Sequence, residues 1–444
     1  MANLEILDEI VDEISKIRGV DLPKICIKMI VLTYLSYACN TFDIVYKNED
    51  GYAQKINVGC IILCQKGTGK SRTLHALKII FKHIEYVRQH RYDELKEIKI
   101  GKLERSMIPL TSEEKKIVEN FYKECGFETI TIFNDPITSK GLCEIYTQIK
   151  RYNVNNLLFT VDEAGDRIFK EALGRDPSIS AKEFLQTLNQ LFDGYCGMGR
   201  SSTSKTEGVT SQTNVGANFI FVSTAEFLKD YHVQQKYESI FEGGLGRRCL
   251  YVNCPPIDKL TTDRHRYFPN FERFVPITTG IFNNPHIYGQ QIQASQELWE
   301  ILEQPGAGSQ LTIDEEYLLL LFCTSLAVWT GDMIILPEHW FYMVKTYKEM
   351  KNLALPVINH NTNNYDRICV FIQEWFKNHS TKTKMPVALV KDYCVRNKMC
   401  FDSQFKKWFK NLCDDFKEGT ISRFIIEKNQ LYVWLSENYA HEGK

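Results

Sequence analysis

Apolar positions in "LEILDEIVDEISKI" recur at helical spacing, and "PKICIKMIVLTYLSYAC" reads as a more buried helix opened by Pro23. Residues 1–50 are therefore expected to form an N-terminal helical region. The pattern then changes. "KINVGCIILC" (55–64) is an apolar, β-branched run that suits a buried parallel strand, and "GTGKSRTLHALKIIFKHIEYVRQ" follows as loop and helix. Residues 87–126 are charged and helical, divided by Pro109, with Thr111 and Glu114 spaced as a capping box. They read as a solvated hairpin inserted in the core, or as an arm for a partner. Strand signals return in "TITIFN", "NNLLFTVDE", "GANFIFVST" and "RRCLYV", with helix patterns between them. Strands alternating with helices predict a three-layer α/β core with a parallel sheet over 51–255.

Residues 256–290 are proline-rich and irregular, and the pattern is helical from 290 to 356. The apolar run "YLLLLFCTSLAVW" (317–329) is shorter than the roughly 20 residues that span a bilayer, so it predicts a buried helix. "LPVINHNTNNYD" reads as a linker. Residues 365–444 then give three helix patterns, the third N-capped by Asp402, and a hairpin in "TISRFIIEKNQLYVWL". Three helices and a two-stranded wing predict a C-terminal winged helix-turn-helix.

Composition narrows the class. The 444 residues are 44% hydrophobic and 25% charged with a formal net charge of −1, so nucleic acid would touch only local patches. The 14 cysteines include no C-x-x-C pair, which reads as reduced thiols in a cytoplasm. No histidine spacing suggests structural zinc. The acidic, amphipathic start is not a signal-peptide pattern.

The chemistry centres on "CQKGTGKS" (64–71), a phosphate-binding loop pattern whose first glycine is replaced by Cys64. Gly67 and Gly69 allow close backbone approach, Thr68 lies between them, and Lys70 supplies a cation for ATP phosphates. Ser71 supplies a hydroxyl for Mg2+ and, with Arg72, opens the helix. Losing the first glycine is expected to strain the exit from the strand. "LLFTVDE" ends in Asp162, placed to hold Mg2+, and Glu163, placed to polarise the attacking water. The next strand ends in Ser223 and Thr224, of which Thr224 is assigned to orient that water. In "GGLGRRCLYV", Arg247 and Arg248 read either as a surface pair or as a finger reaching a neighbouring subunit's γ-phosphate.

The order "DPITSKGLCEIYTQ", "LLFTVDEAGD", "LNQLFDG", "FIFVSTAEFL", "GGLGRRCLYV" resembles a family of phage, prophage and plasmid P-loop proteins, the primase-associated or DnaB-like helicases. It is also similar in motif order to AAA+ and superfamily 3 helicases. The resemblance covers roughly 20–350. It implies a P-loop NTPase core of AAA+ or RecA-like type, a helical lid over 256–356, a homo-oligomeric ring such as a hexamer, and replication partners. The family's arginine matches Arg248, while Arg247 stands where a small residue is usual. No zinc-ribbon cysteine set or extra acid cluster suggests a primase half.

Two regions are candidates for DNA contact. The polar stretch 197–214 suits a pore loop, with Arg200 and Lys205 on phosphates, or a plain surface loop. In the third helix of the C-terminal domain, Lys406, Lys407 and Lys410 lie opposite an apolar face, and residues 365–444 hold 14 Lys and Arg against 10 Asp and Glu. These features predict a ring helicase or replication motor moving on single-stranded DNA. The alternatives are an ATP-gated origin-binding or helicase-loader protein, in which duplex DNA binds the winged helix, and a DNA-packaging motor.

Overall fold

The computed structural model describes residues 2–106, 109–125, 132–133, 137–197, 211–229, 231–240, 244–254, 269–303 and 311–353, with 368, 371, 375, 385–396, 424–426 and 432–435 beyond them. The chain divides into two compact units, Met1–Leu355 and Pro356–Lys444.

In the first unit, α1 (Ala2–Ser15) places Leu4, Leu7, Ile10, Val11 and Ile14 on one buried face. α2 (Lys24–Thr41) follows Pro23 and is buried over most of its length, so it carries almost no polar face. Five strands form the central sheet: β1 (Gly59–Leu63), β2 (Ile132–Phe133), β3 (Asn156–Asp162), β4 (Gly216–Ser223) and β5 (Cys249–Asn253). Their order is β2-β3-β4-β1-β5 and every pairing is parallel. Leu63 pairs with Ser223 and Asp162 with Val222, so β1, β3 and β4 end almost level.

The pleat sends alternate residues to opposite faces. Cys60, Ile62, Leu158, Ile220, Val222 and Leu250 join α1 and α2 in one large apolar cluster. Phe159, Phe219 and Phe221 point the other way and pack on Phe184, Phe192 and Phe169. Both faces are covered, which explains why these strands read as continuous apolar runs. α3 (Lys70–Ile80) and α4 (Lys82–Lys96) follow β1, and α5 (Ile179–Phe192) carries the aromatic side.

The run 55–64 is not one strand, and residues 1–50 are not all helical. Val45–Lys47 pairs with Ala53–Lys55 and with Gln291–Ile292 in a small side sheet. Asn57 lies in the break before β1. Its carboxamide donates to the Leu191 and Val215 carbonyls and accepts from the Ala217 N–H, so a side chain replaces ladder bonds there.

Residues 313–353, assigned from sequence to a lid, form α6 (Ile313–Thr330) and α7 (Pro337–Leu353). Both contribute to the same apolar cluster as α2, and Ser325 of α6 bonds Ser36 of α2 at 2.9 Å. A Thr312–Glu315 capping box starts α6, and Gly331 at φ 85° ends it. Among the described residues no helix is long and apolar enough to cross a membrane.

In the second unit, Phe424–Ile426 pairs antiparallel with Tyr432–Leu435, which also pairs with Met385–Pro386. Helix Val387–Arg396 follows directly on Met385–Pro386.

Candidate nucleotide site

β1 ends at Leu63, and the chain turns through Cys64–Gly69 into α3. Gly67 (φ 79°) and Gly69 (φ 86°) are left-handed, a conformation glycine adopts without penalty. Cys64 is not among the positive-φ residues, so it does not carry left-handed strain in place of the missing glycine. Its N–H donates to the Ser223 carbonyl at 2.8 Å, and its Sγ lies 3.3 Å from Thr68 Oγ1 inside the turn. Burial raises the Cys64 thiol above its ordinary pKa; the Thr68 contact and the Lys70 charge only oppose that. A neutral thiol does not repel a phosphate.

α3 begins at Lys70, and its first N–H groups have no partners within the helix. Lys70 is buried, yet it forms no salt bridge among the described residues. Ser71 Oγ donates to Asp162 Oδ2 at 3.0 Å, which joins the start of α3 to the end of β3. The Glu163 N–H donates to the other oxygen, Asp162 Oδ1, at 3.1 Å. Glu163 is exposed and left-handed at φ 59°, an unusual conformation for a non-glycine residue. Its carbonyl accepts from the Asp166 and Arg167 N–H groups, and a π-helical turn runs from Gly165 to Lys170. Thr224 is buried just past β4.

Two contacts in this region are not legible in the motif pattern. The turn between α1 and α2 lies on the loop: the Asp21 N–H donates to the Thr68 carbonyl at 2.9 Å, and a Cβ on Gly69 would collide with Gly19 and Val20. Arg72 Nη1 bonds the Arg18 carbonyl, so Arg72 ties that turn down. The second contact is Ser223 Oγ, which accepts the Gly165 N–H at 2.9 Å. The glycines of "IRGVD" and "DEAGD" are the sequence signals for these approaches.

The arginine pair sits elsewhere. Arg248 directly precedes β5 at the N-terminal end of the sheet, where its carbonyl accepts from the Gly59 N–H. The strand length separating it from the loop is about 13 Å. Its Nη2 pairs with Asp193 at 2.5 Å, and its guanidinium lies 5.9 Å from the Phe192 ring. Arg247 pairs with Asp314 at 3.2 Å. Both arginines line a cavity of about 240 Å³ with Gln54, Asn57 and Tyr317. Neither completes its own chain's loop site.

Arg200 and Lys205 lie outside the described residues, as do Lys406, Lys407 and Lys410. The base of the polar stretch is described: Tyr195–Cys196 pairs antiparallel with Gln212–Thr213. Among the described residues no three His, Cys, Asp or Glu side chains gather as a metal site. A Mg2+ shared with a nucleotide needs fewer protein ligands, and one hydroxyl beside one carboxylate fits it. No protein-family model matches the chain, and no curated protein matches it.

Proposed function

We propose that the first unit binds and hydrolyses ATP, and that the chain is the ring helicase or replication motor of a phage or plasmid. The observation that carries the ATPase reading is the 3.0 Å bond from Ser71, at the start of α3, to Asp162, at the end of β3. Groups 91 positions apart meet at the carboxyl ends of parallel strands, where open α/β sheets bind ligands. The Gly67–Ser71 N–H groups and Lys70 would hold the phosphates, and Ser71 and Asp162 would hold Mg2+. The metal supplies charge neutralisation on the phosphates when bound. Glu163, exposed beside Asp162, accepts the proton of the attacking water, and Thr224 orients that water.

The ring is supported by the position of Arg248 at the opposite end of the sheet from Lys70. An arginine so placed cannot reach its own chain's loop, and in a ring it would serve a neighbour's site. The DNA-motor reading rests on the motif order and on the cationic excess of residues 365–444. The second reading, an ATP-gated origin-binding or loader protein, shares the same site and lacks unwinding.

Turnover and nucleotide affinity of the full chain test this, with Mg2+ and single-stranded DNA present. Lys70→Ala is expected to weaken ATP binding at least 100-fold. Glu163→Gln keeps binding and loses turnover by about 10³-fold, the scale of general-base loss. ATP turnover without unwinding, coupled to duplex binding, selects the loader. A wild-type chain that neither binds nor hydrolyses ATP sinks both.

A further inference from the structure

Ser223 has two bonds that the proposed reaction does not require of it. Its carbonyl accepts the Cys64 N–H at 2.8 Å, and its buried Oγ accepts the Gly165 N–H at 2.9 Å. The first bond fixes the start of the phosphate loop. The second fixes the turn that follows the acid pair. With Ser71–Asp162, Asp162–Glu163 and Cys64–Thr68, these bonds close a circuit from the loop through the acid turn and back to the loop.

Gly165 makes the approach possible. A Cβ there would lie 2.5 Å from Ser223 Oγ and closer still to the Phe227 ring. Two residues earlier, Glu163 holds a left-handed φ of 59°, a state that persists only where surrounding bonds over-determine it. On its C-terminal side those bonds are the Asp166 and Arg167 N–H groups on its own carbonyl, and the Gly165 N–H on Ser223. Only the last anchors the turn to another strand.

Resting on the ATPase reading above, we infer that Ser223 is the positioning residue for Glu163: its hydroxyl holds the acid turn in the left-handed conformation that directs the carboxylate out of the sheet. The water-orienting role assigned to Thr224 is a separate one: Ser223 Oγ accepts from Gly165 inside the acid turn. The same contact couples the loop to the acid turn, so a shift of the loop on binding phosphate moves the base.

The test is steady-state ATP turnover of the full chain, with hydrogen exchange of the peptide covering 163–170. Ser223→Ala is expected to lower kcat at least tenfold, to leave KM for ATP within twofold, and to speed exchange in that peptide at least tenfold. Ser223→Thr keeps the oxygen and should restore most of kcat. Gly165→Ala forces the two groups apart and should repeat the Ser223→Ala defect. The inference is overturned if Ser223→Ala keeps wild-type kcat while Glu163→Gln is inactive. It is also overturned if kcat and thermal stability fall together and the threonine variant rescues neither. A wild-type chain without ATP turnover removes the ATPase reading itself, and this inference with it.

Discussion

The two ends of the central sheet treat polar groups in opposite ways. At the N-terminal end, Asn218 donates to the Ile56 and Val58 carbonyls, Asn40 donates to Asn218, and Asn57 caps Leu191 and Val215. Arg88 bonds both oxygens of buried Asn156, whose amide donates to Tyr37 and Thr41. Each of these groups is committed to protein. At the C-terminal end, Lys70 is buried without a salt bridge among the described residues, and Glu163 is exposed. A closed polar network fixes one arrangement of a core. A buried cation without a partner is a cost in stability that a bound anion offsets. Lys70→Ala should therefore abolish nucleotide binding without lowering the melting temperature, an outcome that no substitution in the asparagine network would give.

The largest effect expected from the N-terminal end concerns Arg248, the one group there assigned to another subunit. Arg248→Ala should lower turnover about 10³-fold, the low end for loss of an arginine finger. Its half-exposed pair with Asp193 is worth at most about 1 kcal/mol to folding. Mixing Arg248→Ala with Lys70→Ala chains should restore activity, because each supplies what the other lacks. No recovery on mixing would show that the arginine serves only its own chain's packing. Asn218→Ala comes next. It removes one acceptor from Asn40 and one donor from the Ile56 and Val58 carbonyls, which keep Asn40 and the Phe219 N–H, and should cost about 2 kcal/mol in urea unfolding, with ATP affinity per folded molecule unchanged. If Asn218→Ala instead weakened ATP binding, the two ends would not be separate systems.

The contrast between the two ends also explains what could be read in advance. β3 and β4 were legible because both faces are covered, and their apolar runs stop where Asp162 and Ser223 begin. The meeting of Ser71 with Asp162 was legible because the phosphate chemistry proposed for them dictates residue type and local order. The break at Asn57 was not, since a run of strand formers hides a side chain that replaces the ladder. Nor was the choice between Ser223 and Thr224: adjacent hydroxyls look alike until the pleat turns one of them toward Gly165. The helices α6 and α7 were visible as apolar segments, but their burial on α2 depends on packing partners some 290 positions away.

His83 gives the smallest test and marks an exception within the satisfied region. Its Nδ1 lies 3.4 Å from Thr278 Oγ1, while Nε2 has no hydrogen-bond partner. The ring packs near Phe81 and Phe282, and burial pushes its pKa down to about 4. In the unfolded chain the same ring titrates near 6.5. Above that pH neither state is protonated and the folded chain loses nothing. As pH falls from 6.5 towards 4, the unfolded chain takes up a proton that the folded chain refuses, so stability declines across that window. Between pH 7 and pH 5.5 the loss should be about 1 kcal/mol. Urea unfolding of wild type and His83→Gln at both pH values isolates this contribution: the variant should show a shallower decline by that amount. Equal slopes would mean that a proton on His83 finds an acceptor in the folded chain, and that this ring belongs with the satisfied groups after all.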